Sequence, residues 1–257
     1  MHVRDLFSLS GRVALVTGGS RGLGREIAEA LGEAGAAVAL TARREEWLRE
    51  AEAALRAAGI VCTSVPSDIG RPEAVRAMVD TVAARLGPID ILVNNAGATW
   101  GAPVLEMPLD KWQRVLDTNL TGTFLVTQAV GRTMIDRRRG KVINVASIAG
   151  LIGSPPDVLD TIGYSAAKGG VVAFTRDLAV KWAPHNVHVN GIAPGFFRTR
   201  MTEALLERAQ ARVEAEIPWG RIGRPGELKG VAVFLASAAS DYVTGHIIPV
   251  DGGRTAT

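Results

Sequence analysis

The feature that most limits the fold of this chain is a repeated alternation between short apolar runs and longer amphipathic stretches. "RVALVTG" (12–18) reads as a strand and "GLGREIAEALGEAG" (22–35) as a helix; "AAVALTA" (36–42) is a second strand before the helical "REEWLREAEAALRAAG" (44–59). "IVCTSVPSD" (60–68) is a third strand, with a helix from about 71 to 86, and "IDILVNNAG" (89–97) is a fourth. A long helical stretch covers about 110–136, followed by the strand "GKVINVAS" (140–147) and a helix over 164–182. "VHVNGIAPG" (187–195) is the sixth strand and, after further helical segments, "HIIPVDGG" (246–253) is a short last one. Strands that are continuously apolar, rather than alternating, belong to a sheet covered on both faces.

Helical crossovers between such strands are right-handed and give a doubly wound parallel sheet. The expected fold is therefore α/β, a single-domain Rossmann-type sheet of about seven strands with helices on both faces, and no linker or composition shift divides residues 1–257. At 257 residues and 47% hydrophobic content the chain can bury a sizeable core. The single cysteine, Cys62, excludes an internal disulfide framework and a cysteine-based zinc cluster, and its apolar surroundings mark it as a structural thiol. No metal is expected, because the four histidines form no HExxH and no carboxylate cluster sits at ligand spacing. The net charge of +3 is mild; "RRRG" (137–140) is the one basic cluster, and no aromatics interleave with it, which argues against nucleic acid. No signal-peptide pattern and no run near the roughly 20 apolar residues of a membrane span are visible, so a cytoplasmic protein without a membrane partner is expected.

"TGGSRGLG" (17–24) lies between the first strand and the first helix. Gly18, Gly22 and Gly24 permit a tight turn and close approach of a pyrophosphate, which the helix amides then face. About 20 residues on, where a carboxylate would hold the ribose 2′-hydroxyl of NAD, stand Ala42, Arg43 and Arg44. With Arg21 also in the loop and no carboxylate to repel a phosphate, NADP(H) is expected rather than NAD(H).

"YSAAK" (164–168) pairs one of two tyrosines with one of five lysines at a spacing that puts both on one helix face. A surface pair of no consequence would show the same spacing. Together, "TGGSRGLG", Asp68, "NNAG" (94–97), Asn119, Ser147, "YSAAK" and "PGFFRT" (194–199) resemble the short-chain dehydrogenase/reductase family over nearly the whole chain. The resemblance implies an oxidoreductase that interconverts a secondary alcohol and a ketone. Tyr164 would be the general acid in reduction and the base in oxidation, Lys168 would lower its pKa from about 10 and bind the nicotinamide ribose, and Ser147 would hydrogen-bond the reacting oxygen. Asn119 would hold a water that relays protons to the lysine; a helix-bend asparagine is the alternative. The cofactor would lie against Gly18, Ser20, Arg21, Gly22, Leu23, Gly24 and Arg43, with Asp68 and Ile69 at the adenine. Asn95, Ala96 and Gly97 would lie by the adenine ribose, with Pro194, Gly195 and Thr199 at the nicotinamide. The cofactor part would span about 1–150 and a substrate loop or lid about 195–222.

Ser147 and Tyr164 are farther apart in sequence than is usual in the family, and the excess falls in the acidic, proline-stiffened "GSPPDVLDTIG" (153–163). It either narrows the substrate mouth or is a neutral surface insertion. For the substrate, "LFSLSGRVALVTGGSRGLG" and "ASDYVTGHIIPVDGG" resemble the gluconate 5-dehydrogenase group, so a sugar acid is expected; lid arginines 198, 200, 208 and 212 either meet its carboxylate or form a solvated helix face. The alternative is a 3-oxoacyl thioester on an acidic carrier protein; Arg138 fits such docking and His185 departs from it. A non-catalytic NADP-binding regulator is remote, because all four catalytic positions are intact. A homotetramer is expected from the family.

Overall fold

The structure, a computed structural model, describes residues 2–257. A short helix α1 (Val3–Leu6), not anticipated from the sequence, precedes β1 (Val13–Thr17). The chain continues through α2 (Gly22–Glu33), β2 (Ala37–Ala42), α3 (Glu45–Ala57), β3 (Cys62–Pro66), α4 (Pro72–Leu86) and β4 (Ile91–Asn94). After α5 (Leu109–Leu116) and α6 (Gly122–Asp136) come β5 (Gly140–Val145), α7 (Ile162–Trp182), β6 (Val187–Pro194), α8 (Glu203–Ala215), α9 (Lys229–Ala236) and β7 (Ile247–Val250). The seven strands form one parallel sheet in the order β3-β2-β1-β4-β5-β6-β7.

Successive residues of a strand point to opposite faces, and both faces here are buried. In β1, Ala14 and Val16 join a core with Ile27, Leu31, Leu48 and Leu228, under α2, α3 and α9. Val13 and Leu15 join the opposite core with Val75, Met78, Val126, Met134 and Ala179, under α4, α6 and α7. This two-sided burial is why the strands read as unbroken apolar runs. The strand order reverses direction between β1 and β4, which opens a crevice at their carboxyl ends, the usual ligand position in such sheets.

The helix expected over 110–136 is not continuous. A π-helical turn, Asp117–Thr121, separates α5 from α6. Asn119 explains it: its side-chain Nδ2 donates to the Val115 carbonyl at 2.7 Å and to the Ala98 carbonyl at 2.7 Å. The amide thus occupies a carbonyl four residues back that the widened turn leaves without its usual backbone partner.

At the amino end of the sheet, Asp90 is 5% exposed. Its carboxylate accepts the Val13 N–H at 3.1 Å and meets Arg137 at 2.7 Å and Arg139 at 3.3 Å. Asp90→Ala should destabilise the fold by about 2–4 kcal/mol, because it leaves a buried amide and a partly buried guanidinium unpaired. The check is a lower urea midpoint with unchanged slope and normal turnover in the folded fraction, since Asp90 lies at the far end of β4 from the crevice.

Candidate active site

The carboxyl ends of β1, β4, β5 and β6 gather the residues singled out in the sequence. In the β1–α2 turn Gly18 (φ +65°) and Gly22 (φ +55°) adopt the left-handed conformation that favours glycine. A Cβ on Gly18 would lie 2.8 Å from the Ala96 Cα, and one on Gly24 would lie 2.2 Å from the Asn95 Nδ2. The loop is therefore pressed against the start of the segment after β4. Asn95 Nδ2 donates to the carbonyls of Thr17 (3.0 Å) and Gly18 (3.2 Å), while Thr17 Oγ1 accepts the amides of Asn95 (3.0 Å) and Ala96 (3.1 Å). Thr17 was not among the expected residues, yet it ties the two loops together. Ser20 is buried in the turn, and the Leu23 side chain packs into the core, so Leu23 offers only its backbone to a ligand.

Asp68 is exposed just after β3, with one carboxylate oxygen accepting the Gly70 amide at 3.1 Å, and Ile69 is buried beside it. Gly97 abuts Asn119, whose Oδ1 would lie 2.8 Å from a Cβ there. Pro194 ends β6, the Gly195 amide donates to the Val250 carbonyl at 2.9 Å, and the Thr199 amide donates to Thr202 Oγ1 at 2.9 Å. Arg43 is exposed at the end of β2. Arg21 and Arg44 lie over the Trp47 ring, 3.7 Å and 4.4 Å from its centroid. Trp47 was missed from the sequence, although a scarce tryptophan three residues past an arginine pair was a usable signal.

Glycine turn, helix amino end and guanidiniums, with no carboxylate at the end of β2, fit a dinucleotide bearing a 2′-phosphate.

Ser147 follows β5, and Tyr164 and Lys168 occupy successive turns of α7. Ser147 Oγ accepts the Ala149 amide at 3.2 Å and lies against the Tyr164 phenol. Lys168 is buried; its Nζ donates to the Val145 carbonyl at 2.6 Å and sits 5.6 Å from the Tyr164 ring centroid. Burial pushes the lysine down from its ordinary range to about 8. The expected depression of the tyrosine is not found in the protein alone: burial raises the phenol, and the Ser147 hydrogen bond offsets only part of that rise. Asn119, wholly buried, spends its side chain on Ala98 and Val115, the helix-bend role.

Among the described residues no cluster of His, Cys, Asp or Glu is arranged to hold a metal ion.

Known proteins share this geometry. The family model described as Enoyl-(Acyl carrier protein) reductase matches residues 18–255. The chain belongs to the short-chain dehydrogenase/reductase family. This dehydrogenase/reductase is 42% identical over 254 residues, 98% of each chain, to the 5-keto-D-gluconate 5-reductase of Escherichia coli (strain K12). It is 41% identical over 246 residues, 95% of this chain and 98% of the other, to a 3-oxoacyl-(acyl-carrier-protein) reductase of Aquifex aeolicus. A gluconate 5-dehydrogenase from Burkholderia cenocepacia, crystallised with NADP and tartrate, superposes with a TM-score of 0.95 at 41% identity, covering 100% of both chains.

Two outcomes test the site of this short-chain enzyme. Tyr164→Phe should lower kcat by roughly a hundredfold or more while leaving cofactor affinity, measured by calorimetry, unchanged. The Lys168 ammonium is present below about pH 8 and lost above it, while burial keeps the phenol protonated. The kcat/KM for ketone reduction should therefore fall as pH rises through about 8. A flat profile to pH 10 (near the usual lysine pKa) would show that the lysine charge is not needed.

Proposed function

We propose that the protein is an NADP(H)-dependent oxidoreductase that interconverts a secondary alcohol and a ketone on a sugar acid, as a gluconate 5-dehydrogenase does. The observation that carries the redox reading is the meeting of Ser147, Tyr164 and Lys168 at the carboxyl end of β5, beside the glycine turn. Bound nicotinamide would supply or accept the hydride. Ser147 accepts the Ala149 amide and hydrogen-bonds the Tyr164 phenol; with substrate bound, its hydroxyl would turn to the substrate oxygen and stabilise charge developing there. Tyr164 delivers the proton to that oxygen in reduction and removes it in oxidation. Lys168 keeps a positive charge beside the phenolate so formed. In this reading residues 1–150 hold the cofactor, residues 195–222 form the lid, and Asn119 acts by fixing the 97–98 loop.

For the substrate, the relatives include a 5-keto-D-gluconate 5-reductase, matched over 98% of both chains, and, at 38% identity over 98% of this chain and 96% of the other, a 2-dehydro-3-deoxy-D-gluconate 5-dehydrogenase. NADP accompanies structural neighbours in several crystals, one of them also holding tartrate. Three of the four lid arginines are engaged within the protein: Arg198 pairs with Glu203 at 2.7 Å, Arg212 pairs with Glu216 at 2.8 Å and faces Asp157 at 3.6 Å, and Arg200 lies over Trp47, while Arg208 is exposed and, among the described residues, makes no ion pair. The insertion does reach the lid. Val158 and Leu159 pack with Leu205, Leu206 and Val213 of α8, which supports its part in narrowing the mouth.

Carrier-protein docking is the weaker reading. Arg138 lies just before β5 and donates to the Pro184 carbonyl at 2.7 Å; His185 lies just before β6. Both stand at the amino end of the sheet, the length of a strand away from Ser147 and Tyr164.

A cytoplasmic homotetramer fits this activity and the exposed apolar groove between α6 and α7, lined by Phe124, Phe174, Leu178 and Trp182. Light scattering at micromolar concentration should give four times the 27.1 kDa chain mass.

Cofactor consumption with 5-ketogluconate and with an acetoacetyl thioester, each with NADPH and NADH, tests the reading. Turnover of the keto acid with NADPH is expected. Turnover of the thioester alone would make the protein a carrier-type reductase, and a preference for NADH would show that the arginines were misread.

A further inference from the structure

Three guanidiniums converge on one indole. Arg21 comes from the glycine turn, Arg44 from the end of β2 and Arg200 from the segment after β6, with their central carbons 3.7, 4.4 and 5.4 Å from the Trp47 ring centroid. Trp47 is half-buried in the first turn of α3 and cannot neutralise three charges. Grouped around one ring, the three cations repel one another, since they lie inside a Debye length of about 10 Å. The stress is visible at Arg21, which is held below the ordinary guanidinium range by partial desolvation first and then by Arg200 and Arg44.

Their partners are missing. Arg44 has only a loose, exposed contact with Glu46 at 3.7 Å. Among the described residues, no carboxylate comes within ion-pair distance of Arg21 or Arg200. By contrast, Arg198 and Arg212, on the same lid, are both paired. A second contact joins lid and turn here: the Thr199 side chain lies 3.7 Å from the position of a Cβ on Gly22. This segment therefore runs close to the turn that would cradle the cofactor, with Thr199 beside Gly22 and Arg200 over the same ring as Arg21.

We propose that Trp47 is a platform that seats Arg200, together with Arg21 and Arg44, as a clamp for the 2′-phosphate of the cofactor, so that this phosphate draws the lid onto the nucleotide. The indole aligns the planar guanidiniums by stacking, and a phosphate dianion supplies the negative charge their grouping lacks. Arg200 is then a cofactor-specificity residue contributed by the substrate lid. The choice of NADP(H) over NAD(H) and the closing of the site become one event. The proposal rests on the NADP(H) reading above and adds to it the part played by Arg200 and Trp47.

Calorimetry of the full chain with NADP+ and NAD+, on wild type, Arg200→Gln and Trp47→Leu, tests it. Hydrogen–deuterium exchange of the peptide covering 196–205 gives an independent readout. Wild type should bind NADP+ more tightly than NAD+. Arg200→Gln should lose about tenfold in NADP+ affinity, the loss expected for one charge-assisted hydrogen bond, with NAD+ affinity unchanged. Trp47→Leu should move affinity in the same direction. At saturation NADP+ should protect 196–205 more than NAD+ does, and Arg200→Gln should erase the difference. If wild type prefers NADP+ and Arg200→Gln binds and protects as wild type does, the proposal is overturned and the NADP(H) reading stands. If wild type shows no preference, both fall together.

Discussion

The geometry of the site depends on one buried amide. Asn94, the last residue of β4, donates from Nδ2 to Thr127 Oγ1 of α6 at 2.8 Å and to Asn144 Oδ1 of β5 at 2.9 Å. Asn144 in turn donates to Thr175 Oγ1 of α7 at 2.9 Å. Thr127 donates to the Thr123 carbonyl, and Thr123 to the carbonyl of Asn119, each within 2.8 Å. All of these side chains are buried, so a slip of any one element would strand a polar group without water, at about 1–3 kcal/mol each. Apolar packing alone tolerates small shifts; this ladder does not. It fixes β4, β5, α6 and α7 against one another; Tyr164 and Lys168 lie on α7, Ser147 just after β5 and Asn119 in the turn that leads into α6.

Held in this way, the site works against its own burial. Low polarity raises the phenol of Tyr164 and lowers Lys168 to about 8, so both groups are pushed towards their neutral forms. Because the folded value of Lys168 lies below its usual 10.5, its burial costs stability below about pH 8, and that cost fades as pH rises towards 10.5. The cost maintains an ammonium that makes one backbone hydrogen bond, to Val145, and otherwise faces the tyrosine. A lysine kept there for packing alone would be better replaced by an apolar side chain.

The parallel sheet was legible because strands covered on both faces leave a signal in every residue, and the glycine turn was legible because backbone contact at Gly18 and Gly24 excludes a side chain. The break at Asn119 was visible only as an alternative, since the periodicity of α5 and α6 runs through it and it takes the tertiary contact with Ala98 to show why an asparagine stands there. The helix α1 escaped notice because four residues carry too little pattern. Trp47 escaped for another reason: "REEWLRE" describes a good amphipathic helix whether or not anything stacks on the ring. Arginines at 198, 200 and 212 look alike in sequence, and only their partners separate two surface ion pairs from one guanidinium over an indole.

That separation bears on how a shared scaffold acquires its substrate. On the function proposed above, the sheet, the glycine turn and the Ser147–Tyr164–Lys168 group provide for the movement of a hydride and a proton, and say nothing about the molecule they move on. The contacts that bear on the substrate lie away from that group. The insertion after Ser147 sends Val158 into the apolar cluster under α8 and sets Asp157 beside Arg212, while the other end of the lid rests through Arg200 on Trp47. The 195–222 segment is thus held by two sets of contacts away from Ser147, Tyr164 and Lys168, one apolar and acidic, the other cationic. On the function proposed above, specificity follows from how the 195–222 segment is held, with the residues assigned to the chemistry left the same.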